Sequence, residues 1–140
     1  MQWIFLIGDA TLTLSRFEQM RFPGSTRTVR SGEQLLVMYE NGDYAAFFRE
    51  ENTDAMRSEF EPGELEKLLA FLPFDDPKWI MLKYRNIETV KQILQAPDFP
   101  KDVFIDCDGT DPGLEAVFDR ARIIGTAAAI SAKQHTGTAR

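Results

Sequence analysis

Apolar and polar positions set the first expectations along the chain. Gln2–Ile7 carries no charge, is rich in aromatic and β-branched residues, and predicts a strand broken by Gly8-Asp9. Thr11–Phe22 fits two patterns: Leu12 and Leu14 alternate as in a strand, whereas Phe17 and Met20 with Arg16 and Arg21 suit a helix. Pro23-Gly24-Ser25 then punctuates the chain. Across Gln34–Glu50, the runs Q-L-L-V-M-Y and Y-A-A-F-F-R flank Glu40-Asn41-Gly42-Asp43. Asn-Gly suits a two-residue type I′ turn, which predicts a β-hairpin pairing Tyr39 with Tyr44 and Val37 with Ala46. That closure sets Glu40 opposite Asp43, a like-charge pair that is tolerable where it is solvated or bound to something positive.

Beyond the polar, acidic connection Glu51–Glu61, Leu65, Leu68, Leu69 and Leu72 recur at helical spacing. They predict a helix opened by Pro62 and ended by Pro73. Trp79–Tyr84 is the next strand. Asn86 is a good N-cap for a helix with Ile87, Val90, Ile93 and Leu94 inward, stopped by Pro97. Val103–Asp106 is a further strand. Pro112–Ile124 predicts a helix with Leu114, Val117, Phe118 and Ala121 on one face, Asp111 as its N-cap and Gly125 after its end. The strand–helix–strand–helix run implies a right-handed parallel crossover.

The expected fold class is therefore α/β (α+β mixed). One domain over residues 1–125 would hold a mixed sheet with an antiparallel hairpin and C-terminal parallel β-α units. Residues 126–140 lose periodicity after Ile130 and are expected to form a flexible C-terminal tail.

Composition narrows the chemistry. No apolar run approaches the roughly 20 residues of a membrane span, and Trp3–Ile7 has no basic residues before it, so it reads as a buried strand and not a signal peptide. A single cysteine, Cys107, excludes an internal disulfide and fits a reducing, cytoplasmic setting. With His135 as the one histidine, a zinc site of several Cys and His ligands is excluded, and any Ser-His-Asp or Cys-His arrangement would have to reach into the polar C-terminal tail. The net charge of −6 is unevenly spread. Residues 50–66 hold seven acids against Arg57 alone, and residues 98–119 seven against Lys101 alone, so the remainder is net basic. Two such blocks repel nucleic acid and attract a basic protein.

The stretch closest to chemistry is Val103–Gly113, V-F-I-D-C-D-G-T-D-P-G. An apolar strand ends there in Asp106, Asp108 and Asp111, with Glu115 in the next turn. Gly109 supplies freedom for a strand-to-helix turn. An EF-hand is excluded, because its sixth and twelfth positions counted from Asp106 are Asp111 and Val117 instead of Gly and Glu.

Ile105–Thr110 resembles the first motif of the haloacid dehalogenase superfamily, a hydrophobic strand ending D-x-D-G-T. That resemblance implies Mg²⁺-dependent phosphoryl transfer, with Asp106 as nucleophile, Asp108 as general acid/base and both as metal ligands. In that family the motif opens the fold, whereas here 30 residues follow Thr110, with no acid after Asp119. The layout of the chain as a whole is similar to the small acidic α/β immunity proteins that bacteria encode beside toxins. It rests on size, acidity, element order and the Trp79–Asp111 run. It implies a non-catalytic binding protein without a cofactor, holding a basic toxin domain such as a nuclease by occluding its active site with acidic residues. Asp106, Asp108, Asp111 and Glu115 are the first candidates for such an interface, with Glu40 and Asp43 second.

Overall fold

A computed structural model describes residues 2–107 and 113–124. Strand β1 (Gln2–Gly8) is an interior strand of a seven-stranded sheet. After it come helix α1 (Leu14–Glu18), strands β2 (Ser25–Ser31), β3 (Gln34–Tyr39) and β4 (Tyr44–Phe48), and helix α2 (Thr53–Met56). A 3-10 turn over Arg57–Glu59 leads to helix α3 (Glu64–Phe71), strand β5 (Lys78–Tyr84), helix α4 (Ile87–Gln95) and strand β6 (Phe104–Asp106). Two 3-10 turns, Leu114–Ala116 and Arg120–Arg122, precede strand β7 (Ile123–Ile124).

The spatial order is β2-β3-β4-β5-β1-β6-β7, antiparallel except for the parallel pair β6–β7. This is the expected mixed sheet, with one difference in connection. β5 and β6 run in the same direction, but β1 lies between them and pairs antiparallel with both. The β5–α4–β6 crossover therefore straddles a strand.

Each face of the sheet buries its own cluster. On the first, Leu6, Leu35, Val37, Phe47, Leu82 and Ile105 pack under α1 and α4. Asn86 caps α4 as expected, its side chain accepting from the Glu88 amide at 3.0 Å, and Val90, Ile93 and Leu94 are buried. Phe17 of α1 stacks on Phe47 with ring centroids 4.5 Å apart. On the second face, Leu65, Leu68 and Leu72 cover Ile7, Trp79, Phe104 and Ile124.

Three expectations need correction. The hairpin pairs Val37 with Ala45 and Leu35 with Phe47, one residue away from the two-residue closure. The Tyr39 carbonyl accepts from Gly42 and the Tyr39 amide donates to the Asp43 carbonyl, so the loop has three residues. Burial selects this register, because Leu35, Val37, Ala45 and Phe47 then share the first face. Glu40 and Asp43 are consequently not opposite one another. Second, Ser25–Ser31 forms an edge strand that the polar run S-T-R-T-V-R-S did not announce. Third, the described part of Pro112–Ile124 is no continuous helix. Asp119 accepts from the Ala121 amide at 3.0 Å and starts a new turn, and β-branched Ile123 and Ile124 pair with β6 instead. The expected caps Asp111 and Gly125, and the tail 126–140, lie outside the described residues. Among those described, no helix is long and apolar enough to cross a membrane.

Candidate functional site

Strand register decides which side chains share the second face. Row by row it carries Arg27, Met38 and Tyr44, then Val29, Leu36, Ala46, Lys83 and Trp3, then Ser31, Gln34, Phe48, Met81 and Phe5. Helix α3 covers Ile7, Trp79 and Phe104 at one end of β1, β5 and β6. The half built from β2, β3, β4 and the other ends of β5 and β1 is open. The two exposed large hydrophobics among the described residues, Trp3 at 43% and Met38 at 37%, both stand on it.

Where the open and covered halves meet, a groove of about 710 Å³ runs between Trp3, Phe5, Phe48 and Met81 on the sheet and Met56 and Glu59 on the α2 side. Its mouth is charged. Arg49 is clamped by Glu33 at 2.6 Å and Glu51 at 2.7 Å, and those hydrogen bonds, that to Glu51 foremost, push its pKa up.

Across Thr53–Glu59, a second groove of about 760 Å³ is lined by Asp54, Arg57, Leu69, Phe74, Asp75 and Lys78 among others. Thr53–Glu59 is thus a ridge between two grooves. Asn52 caps its first turn by accepting from the Ala55 amide at 2.9 Å, which fixes how Asp54 is presented. Arg57, the one cation of the 50–66 block, meets Asp54 at 3.6 Å and Glu66 at 3.0 Å. Glu66 is held below the usual carboxylate range, first by its own backbone amide and then by Arg57. Glu59 and Glu61 are exposed and have no cationic partner among the described residues.

The residues singled out from sequence are dispersed. Asp106 ends β6 opposite Phe5, so its side chain belongs to the second face, yet it is only 4% exposed and does not line the groove. A carboxylate so placed is not displayed to an incoming protein. Asp108 and Asp111 lie outside the described residues. Glu115 is exposed, 3.7 Å from Arg120. Glu40 and Asp43 sit at the hairpin turn beside the start of α4, where Glu40 borders a cavity of about 240 Å³ with Tyr39, Asn86, Glu88 and Thr89. Asp43 is half-buried, and its carboxylate accepts the Thr89 hydroxyl and the Tyr44 amide. Among the described residues, no three His, Cys, Asp or Glu side chains come together as a metal site.

The chain matches no protein-family model, no curated protein and no solved structure. Function therefore has to be argued from this geometry. The acidic ridge was visible in the sequence as charge, whereas the groove residues Trp3, Phe48, Met56 and Met81 were not singled out. The available signal was that Trp3 and Phe5 are as apolar as Ile4 and Leu6, more than a strand with one wet face requires.

Proposed function

We propose that this protein is a non-catalytic binding module that holds a basic protein domain against the ridge Thr53–Glu59. The observation that carries the reading is the ridge itself. It is an acidic projection between two grooves of about 710 and 760 Å³, where Glu59, and Glu61 just beyond it, have no cationic partner among the described residues. Surface carboxylates steer a basic partner, and the first groove, lined by Trp3, Phe5, Phe48 and Met81, receives its anchoring side chains. In its narrower form the proposal is an immunity-type protein that neutralises a basic toxin domain, such as a nuclease, by covering its active site. The acidity of residues 50–66 supports that form. Asp106 is 4% exposed, whereas the ridge presents exposed carboxylates, which favours the ridge over Asp106 itself as the contact.

The test is co-expression with the product of the adjacent gene. Rescue of growth and a one-to-one complex are expected, with association slowed about tenfold or more by Glu59→Lys with Glu61→Lys and by added salt. A product that is neither toxic nor bound removes the immunity reading. Mg²⁺-dependent phosphatase turnover that disappears in Asp106→Asn would replace the binding reading with an enzymatic one.

A further inference from the structure

The open half of the second face is chemically unlike the ridge. Its middle row, Val29, Leu36 and Ala46, is apolar and is bordered by Met38, Phe48 and Trp3. The charged residues on its strands are cations, and the carboxylates of Glu33, Glu51 and Glu59 border it only at the groove beside Trp3 and Phe48. Arg27 and Lys83 rise from β2 and β5, and Arg85 lies over the Tyr44 ring just past β5, at 5.7 Å. None of the three has a carboxylate partner among the described residues, although the chain is net −6. No acidic residue projects from β2, β3, β4, β5 or β1 onto this half.

The layer is also geometrically short of one element. α1 and α4 cover the first face, whereas on the second α2 and α3 cover only the β5–β1–β6–β7 side. Strands lie about 4.8 Å apart and a helix with its side chains is about 10 Å across, so one helix would cover β2–β4.

We propose that this half-face docks one amphipathic helix of a partner protein, its apolar stripe on Val29, Leu36 and Met38 and acidic residues on its flanks. Those acids would meet Arg27 on one side and Lys83 and Arg85 on the other. A protein helix fits better than a single-stranded nucleic acid. The contact row is aliphatic, and two of the rings that could stack on bases are already covered, Phe48 by Lys83 at 5.4 Å and Tyr44 by Arg85. This surface adjoins the ridge's first groove at Trp3, Phe48 and Lys83, but its own row over β2, β3 and β4 is opposite in charge to the ridge, so the proposal does not depend on a basic partner there.

The test uses two synthetic helical peptides of about 15 residues, with the same Leu/Ala stripe flanked by Glu in one and by Lys in the other. Binding is read from tryptophan emission of the full chain, in which Trp3 is the exposed indole and Trp79 the buried one. The Glu peptide is expected to shift the emission to the blue and to bind about tenfold or more tighter than the Lys peptide, with Lys83→Glu plus Arg85→Glu reversing the preference. Trp3→Phe should abolish the spectral shift while the Glu peptide still binds in calorimetry. Equal binding of both peptides, or of neither, overturns the proposal. Tighter binding of a poly-uridine oligomer assigns the face to nucleic acid, and self-association that buries Trp3 assigns it to a second copy of the chain.

Discussion

The Thr89 hydroxyl of α4 donates to the carboxylate of Asp43, which stands 46 residues earlier in the β3–β4 loop. Thr89 is only 5% exposed, so the bond forms at the edge of the core and ties the start of α4 to the turn of the hairpin. Asn41 adds a local bond, accepting the Asp43 amide at 3.0 Å, and Asp43 in turn accepts the Tyr44 amide at 3.0 Å. The loop is thereby held in one conformation and fixed to a helix it does not adjoin in sequence.

Thr89→Val keeps the shape of the side chain and removes its donor. A half-buried carboxylate loses a hydrogen bond, and about 1.5–3 kcal/mol of stability should go with it. Thr89→Ser retains the donor and should lose less than the valine variant. Chemical denaturation of both variants, with unchanged slopes, is the measurement.

Burial, aided by the nearby Asp43 charge, pushes the Tyr39 phenol from its ordinary value of 10.0 to about 12. Between those values the unfolded chain gives up the proton while the folded chain keeps it. The folded state then binds more protons, so stability falls as pH rises from about 10 to about 12 and is unaffected below. The Tyr39 hydroxyl has no hydrogen-bond partner among the described residues, so Tyr39→Phe should be neutral or slightly stabilising at pH 7. It should also flatten the alkaline limb. Tyr84, raised by burial and by Cys107, leaves part of that limb in place, so the difference between wild type and variant is the quantity to read.

Gly42 has φ +83°, and a Cβ added there would meet nothing within 4 Å. Gly42→Ala therefore reports backbone conformation alone, and about 1–2 kcal/mol of destabilisation is expected. Gly42→Asn should lose less, because asparagine enters the left-handed region more readily. Equal losses for the two, measured by thermal and urea unfolding, would mean that the left-handed conformation at Gly42 is not what the substitutions disturb.

How much of this was legible beforehand varies by element. β1, the hairpin and α4 were clear because pattern and caps agree: Asn86, for example, stands just where the apolar spacing of α4 begins. β2 was hidden because an edge strand needs only one apolar contact residue, here half-buried Val29, and borrows its order from β3. The hairpin was seen but its register was not. Asn-Gly permits a two-residue loop, and the choice was made by which side chains reach the core. The acidity of the ridge could be read directly from residues 50–66. Its grooves could not, because Trp3, Phe48, Met56 and Met81 meet only once the strand order places β4 and β1 on either side of β5. Nor does a carboxylate at a strand end announce burial, as Asp106 shows.

Phe17 and Trp3 offer the sharpest contrast between core and open face. Helix α1 has five residues, too few to persist alone, so it is held by what it buries. Phe17 is fully buried, stacked on Phe47 and 5.9 Å from Phe99, and Phe17→Ala should cost about 3–5 kcal/mol. That is a large part of the roughly 5–15 kcal/mol by which domains are stable, so the variant should unfold near physiological temperature. Trp3 is a larger side chain in an interior strand, yet it is 43% exposed. Trp3→Ala should cost about 1 kcal/mol or less while removing the exposed indole from the proposed docking face. Unfolding midpoints of the two variants, measured side by side, decide the matter. If Trp3→Ala proved as damaging as Phe17→Ala, the open half of the sheet would be core in solution, and a helix could not dock there.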